Sequence, residues 1–335
     1  MRYLLTTDPG IEDLATDEVT ERMPAARARP APYGQAGQVQ VETAEPDPLF
    51  ELRTIHHVIE IRGEAEAATL DDVRRAVGEM DLPELASARS FRVTTARAGG
   101  HDLVRREVQG AAGAVIQRRY GTPVDLEGFE TNVRVDLYGT RLVLGFQRTT
   151  RSLGRRIRRA RELRTGIKPT LAAAMIRLAG AHRGSGRLID PLCGAGTIPI
   201  EARRINPELT VEACDWDAET VATARGTAEN EGVEVDVRQA DARALRSVYP
   251  EPFDYIVTDP PYGVRLGKRS SLRRLYASLL RSFEQALADS GRIVLVALKL
   301  HAFRAALEET ALRAVHERPF GAGQLTPHMF VLERD

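Results

Sequence analysis

Alternation of apolar and polar residues, which sends successive side chains to opposite faces, predicts a strand at Gln38 to Thr43, and short apolar-rich runs predict strands at Arg2 to Thr7 and Val58 to Arg62. Spacing of three to four between apolar residues predicts a helix over Ile11 to Arg22 and a short one over Pro48 to Arg53. Asp8 ahead of Pro9 marks the start of the first helix, because a carboxylate can cap free amides and proline suits the first helical position. The Pro-, Ala- and Gly-rich stretch 24–37 (PAARARPAPYGQAG) reads as an exposed loop.

From 66 to 150 the pattern predicts a helix after Thr69, a strand over Ser90 to Arg97 and a helix from Leu103 to Tyr120. Two strand-like runs, TNVRVDLYG and RLVLGFQRT, then join at Gly139-Thr140 as a hairpin, which makes this stretch an α+β module. From 167 to 335 helical and strand patterns alternate. They run from an Ala-rich helix (Pro169 to Ala179) through RLID, VEACD, VDVRQAD and DYIVTD to a helix over Ser271 to Ala288 and the strand RIVLVAL. That alternation predicts an α/β domain built on an open, mostly parallel sheet, which takes its ligands at the carboxyl ends of the strands.

Composition narrows the class. Apolar residues make up 43% and charged residues 28% of the 335, with 47 basic and 47 acidic side chains, as in an ordinary globular protein. The longest apolar run, Ile293 to Leu298, is far shorter than a membrane span, and the first residues lack the pattern of a secretory signal, so the expected location is the cytoplasm. Cys193 and Cys214 form no CxxC pair, and the adjacent His56 and His57 of a strand face opposite ways, so no metal site is expected. Lysine occurs only at 168, 268 and 299, and the other 44 basic residues are arginines.

The chemistry gathers at strand ends. In LIDPLCGAGTIPIEA (188–202) an apolar strand ends in Asp190, and the turn Cys193, Gly194, Ala195, Gly196 leads into a helix whose free amides suit a nucleotide-like ligand. A plain tight turn would use the same residues, and Pro199 where a dinucleotide fold would place its third glycine argues against NAD. Asp215 ends the next strand, 19 residues after Gly196, where it can accept from ribose hydroxyls or cap a helix. Trp216 can cover an adenine face, and Asp241, followed by Ala242, can accept from an adenine amine. In VTDPPYGVRLGKR (257–269), Asp259 and Pro260 form an acceptor-only niche for an exocyclic amine, because proline offers a carbonyl with no competing amide; Tyr262 can stack on the base.

Together these residues resemble class I S-adenosylmethionine-dependent methyltransferases that act on exocyclic amines of bases, whose motif is (N/D)PPY. The resemblance implies methionine contacts from Asp190 and Cys193 to Gly196, ribose contacts from Asp215, adenine contacts from Trp216, Asp241 and Ala242, and amine capture by Asp259, Pro260 and Tyr262. GIKPTLAAAM (166–175) is similar to a segment packed against the methionine end, which adds Thr170. SFRVTTAR, RRY (118–120) and the hairpin resemble a THUMP domain, and the region before it resembles a ferredoxin-like domain. The implied order is a ferredoxin-like domain (1–65), THUMP (66–150), a basic linker (151–166) and a Rossmann-like methyltransferase domain (167–335), as in the THUMP-containing tRNA guanine-N2 methyltransferases. The resemblance further implies direct methyl transfer to a flipped guanine in tRNA without a metal, with GVRLGKR pointing to position 6 of the acceptor stem; the alternatives are the same chemistry at tRNA position 10 or on ribosomal RNA, or a non-catalytic RNA-binding protein, and a monomer is the default expectation. Nine basic residues against one acid between Arg148 and Lys168 suggest phosphate contacts, with Arg155, Arg156, Arg158 and Arg159 as candidates or else part of a solvated linker. Arg265, Lys268 and Arg269 follow the amine motif and would face the target strand.

Overall fold

The computed structural model describes the chain except for residues 101, 162–165, 262–268, 322 and 324, and except for the side chains of 269–271. The described residues form two compact units, one of residues 1–7 and 15–153, the other of residues 8–14 and 154–335.

In the first unit the strands are β1 (Arg2–Thr7), β2 (Arg27–Pro30), β3 (Gln38–Glu42), β4 (Ile55–Glu66), β5 (Phe91–Thr94), β6 (Arg97–Ala98), β7 (Thr131–Tyr138) and β8 (Arg141–Gln147). They lie in one sheet of order β2-β3-β1-β4-β8-β7-β5, with β6 also paired to β7. β4 is the long strand of the set: it pairs with β1 through its first half and with β8 through its second, so the strands of 1–65 and of 66–150 are continuous. Helices α1 (Glu12–Arg22), α2 (Leu70–Glu79) and α3 (Arg105–Tyr120) supply apolar faces. Ala15 and Val19 pack with Leu5, Val39 and Val58, while Val73, Val108 and Ile116 pack with Phe91, Val133 and Leu144. α2 begins with a capping box in which the Thr69 hydroxyl accepts from the Asp72 amide at 3.1 Å and Asp72 accepts from the Thr69 amide at 3.0 Å.

Several expectations need correction here. The stretch 24–37 contains β2, an exposed edge strand whose Pro30 is tolerated because an edge need not donate on both sides. The short helix expected over Pro48 to Arg53 is a 3₁₀ turn at Asp47–Glu51. The strand expected over Ser90 to Arg97 divides into β5 and β6. The hairpin does turn at Gly139, whose φ of 60° is left-handed. His57 is neutral and structural: burial lowers its pKa to about 4, and its Nδ1 lies 2.8 Å from the Thr149 hydroxyl.

The second unit carries α4 (Pro169–Leu178), β9 (Gly186–Asp190), α5 (Thr197–Ile205), β10 (Leu209–Asp215), α6 (Ala218–Glu231), β11 (Asp236–Gln239), β12 (Phe253–Thr258), α7 (Arg269–Ala286), β13 (Leu287–Ala297), α8 (Leu300–Leu307), β14 (Leu312–Pro319) and β15 (His328–Arg334). Their sheet has the order β11-β10-β9-β12-β13-β15-β14, in which the first five strands are parallel and the last two antiparallel. Both faces are covered, so the strands are apolar on both sides. Leu188, Val257, Val294 and Val331 face α4 and α5, while their neighbours Ile189, Ile256, Ile293 and Leu332 face α7 and α8. Residues 8–14 complete the first of these layers with Ile11 and Leu14. α1 begins four residues after Asp8, whose carboxylate accepts from Lys168 Nζ at 2.6 Å and from the Thr170 hydroxyl at 2.5 Å.

Candidate active site

The central strand β9 leads outward through β10 to β11, and the chain then returns to β12 on the other side of β9. α5 after β9 packs on one face of the sheet and α7 after β12 on the other, so a crevice opens at the carboxyl ends where the direction reverses. Four acids stand at these ends: Asp190 on β9, Asp215 on β10, Asp241 after β11 and Asp259 after β12.

Asp190 is buried, and burial raises its pKa to about 7. The Thr258 hydroxyl and the Leu192 amide, donating to Asp190 Oδ1 at 2.7 and 3.2 Å, pull the other way, while the charges of Asp259 and Asp215 push it up again. Oδ2 accepts nothing from the described residues. Asp215 is also raised, first by burial; its Oδ2 accepts from the Gly194 amide at 3.3 Å and its Oδ1 from the Asp217 amide at 3.1 Å. Neither carboxylate forms an ion pair among the described residues, and burial disfavours the charged form of both.

The turn between β9 and α5 is fastened to β10. The Cys193 amide donates to the Cys214 carbonyl at 3.0 Å and the Gly196 amide to the Cys193 carbonyl at 2.8 Å. Gly194 and Gly196 take left-handed backbone (φ 52° and 84°), and Gly196 opens α5, leaving its first amides facing outward. Ala195 and both cysteines are buried. Burial pushes the Cys193 thiol well above its usual range and the Cys214 thiol up to about 12, so neither is a thiolate at neutral pH.

The other predicted residues fall as follows. Asp259 is half-buried and Pro260 buried, directly after β12 and beside the Asp190 strand, whereas Tyr262, Arg265 and Lys268 lie outside the described residues and Arg269 is described only as the start of α7. Trp216 is 72% exposed, a free aromatic face next to Asp215. Asp241 is held below the usual carboxylate range by Arg243, which donates to both its oxygens, and Ala242 behind it is buried. Thr170 is fully buried on α4, where its hydroxyl donates to Asp8.

The basic run divides. Arg156 pairs with the fully buried Glu201 of α5, Nε to Oε1 at 2.8 Å and a terminal nitrogen to Oε2 at 2.9 Å. Arg159 turns inward as well, donating to the Ile167 carbonyl at 3.0 Å and the Thr197 hydroxyl at 3.2 Å. Arg158 keeps 83% of its side chain exposed, although it donates to the Asn230 carbonyl, and Arg155 is exposed. Residues 156–161 are thus fastened along α5 and α6, where their sequence reads as a linker.

Thr258, whose hydroxyl donates to Asp190, carries no signal in the sequence: the contact depends on β9 and β12 being neighbours, which no local pattern reveals.

The RMKL-like methyltransferase domain model matches residues 156–327 and the THUMP domain model residues 67–146. A tRNA (guanine(6)-N2)-methyltransferase of Thermus thermophilus is 37% identical over 98% of both chains. The chain belongs to the THUMP-containing tRNA guanine-N2 methyltransferase family. The crystal structure of TrmN from Thermus thermophilus superposes with a TM-score of 0.89 at 34% identity, covering 100% of each chain. A tRNA (guanine(10)-N2)-dimethyltransferase of Methanothermobacter thermautotrophicus is 33% identical over 73% of this chain and 72% of its own.

The cofactor of this methyltransferase is S-adenosylmethionine, and the site suits it. Uncompensated carboxylates at Asp190 and Asp215 match a ligand that brings a sulfonium, an ammonium and two ribose hydroxyls. With its pKa raised to about 7, Asp190 would hold a proton at pH 6, and a cation bound against it would favour the charged form and release that proton. Calorimetry at about pH 6 in buffers of different ionisation heat is expected to read close to one proton released, and almost none near pH 8.5. Thr258→Val, which removes a hydrogen bond to the charged form, moves this window to higher pH. Binding without proton release at pH 6 would contradict the placing of Asp190 against the cofactor.

Proposed function

We propose that this enzyme transfers a methyl group from S-adenosylmethionine to the exocyclic N2 of guanine 6 in the acceptor stem of tRNA. The observation that supports this most is the Asp259-Pro260 pair at the carboxyl end of β12, beside Asp190, in a chain similar over nearly its full length to an enzyme named for that position. In this reading Asp190 and the turn Cys193 to Gly196 hold the methionine end. Asp215 takes the ribose, and Trp216, Asp241 and Ala242 line the adenine end.

When bound, S-adenosylmethionine supplies a methyl group on a positively charged sulfur. The Asp259 carboxylate and the Pro260 carbonyl accept the two N2–H donors of the guanine, which orients its lone pair and excludes water from that edge. A paired guanine hides this edge, so the base is flipped out and Tyr262 restores its stacking. Asp259 accepts a proton from N2 as the amine becomes acidic on methylation, so a strongly basic carboxylate is not required beforehand.

Exposed Arg155 and Arg158, with Arg265, Lys268 and Arg269 after the motif, contact RNA phosphates. The division into a ferredoxin-like region (1–65), a THUMP module (66–150) that grips the acceptor end, and a methyltransferase domain from 167 belongs to the same reading, as does action by a monomer in the cytoplasm. Transcripts in which the pair containing guanine 6 is reversed test the site. Methyl incorporation is expected to fall to background, and undiminished incorporation would move the target elsewhere.

A further inference from the structure

Among the buried tyrosines of the second unit, Tyr249 donates its hydroxyl to the Ala213 carbonyl at 3.2 Å, whereas the Tyr276 hydroxyl has no hydrogen-bond partner among the described residues. Tyr276 is 1% exposed on α7, the helix that follows the amine-binding motif. Its ring packs edge-on against Phe303 with centroids 5.6 Å apart, and Phe303 packs on Phe330 at 4.5 Å. Phenylalanine would satisfy that packing, and a buried hydroxyl left unpaired is destabilising, so the oxygen calls for a use in another state of the protein. The one charged group among the described residues that acts on Tyr276 is Asp259, whose negative charge adds to burial in pushing the phenol up to about 12. The stack also sets the level of the ring along the sheet: Phe330 pairs with Leu295 and Leu295 with Thr258, so Tyr276 packs at the end of β12, where Asp259 follows. The phenol is a neutral donor at working pH.

We propose that Tyr276 is a positioning residue for methyl transfer: with the target base in the site, its hydroxyl donates to Asp259 and holds the carboxylate in the orientation that accepts the N2–H. This rests on the reading of Asp259 given above. A hydrogen bond to the charged form also keeps Asp259 ionised at lower pH.

The test compares wild-type enzyme and Tyr276→Phe in single turnover with tRNA transcript across pH, together with calorimetric S-adenosylmethionine binding and thermal melting. The expected variant has an unchanged or higher melting temperature, unchanged cofactor affinity, a rate about tenfold lower, and an acid limb of the pH profile displaced to higher pH. Wild-type rate and profile in the variant would overturn the inference. So would a slower rate accompanied by a lower melting temperature and weaker cofactor binding, which is the mark of a packing role. A wild-type enzyme that methylates no guanine would instead remove the reading on which the inference stands.

Discussion

Asp259→Ala is expected to lower the single-turnover rate of methyl transfer by at least about a thousandfold while leaving S-adenosylmethionine affinity within about threefold of wild type. The carboxylate stands after β12, outside β9, β10 and the turn that opens α5, from which the proposed function draws the cofactor contacts. On that proposal the variant loses both an acceptor for N2–H and the acceptor of the departing proton. Asp259→Asn separates the two roles, because an amide oxygen can still accept the N–H but takes up no proton; its rate is expected to lie between those of wild type and alanine. Rapid-quench measurements with labelled cofactor, beside calorimetric binding, check both variants. Near-normal turnover by Asp259→Ala would mean that the amine is held elsewhere.

The largest expected effect on stability lies in the basic run. Arg156→Ala leaves the Glu201 carboxylate buried at 0% exposure without its bidentate partner, and breaking such a pair from one side costs about 3 kcal/mol or more. Arg155→Ala removes an exposed cation and is expected to leave stability within about 0.5 kcal/mol. The tRNA side of the comparison runs the opposite way. Arg155→Ala weakens binding and makes it less dependent on salt, whereas Arg156→Met, which keeps most of the volume, is expected to affect tRNA binding only through folding. Urea unfolding and filter binding at two salt concentrations separate the two arginines. Equal stability of the two alanine variants would contradict the structural role of Arg156.

These contrasts show where the sequence was readable. Apolar runs that end in Asp190, Asp215 and Asp259 announce parallel strands with polar carboxyl ends, because a strand buried on both faces permits a polar residue only where it emerges. The glycines of the turn and the prolines after Asp259 restrict the backbone in ways that are legible one residue at a time. Lateral neighbours are not legible in that way. Thr258 and Asp190 are 68 residues apart, and their contact follows from strand order. Arg155 and Arg156 are adjacent and chemically identical, yet one faces solvent and the other a buried glutamate on α5. A charge count cannot divide them. β2 escaped notice because an edge strand has little apolar alternation and here ends in proline. In the exposed β14 five consecutive positions face solvent, and β15 is needed to define it as a strand.

The central claim is tested most directly by incubating the purified enzyme with labelled S-adenosylmethionine and an unmodified tRNA transcript that carries guanines at positions 6 and 10, digesting the product, and identifying and mapping the labelled nucleoside. The account predicts N2-methylguanosine at position 6. Label confined to position 10 would contradict the site while keeping the chemistry of Asp259 and Pro260. Label on adenosine, or none in tRNA from an enzyme that binds the cofactor, would contradict the account itself.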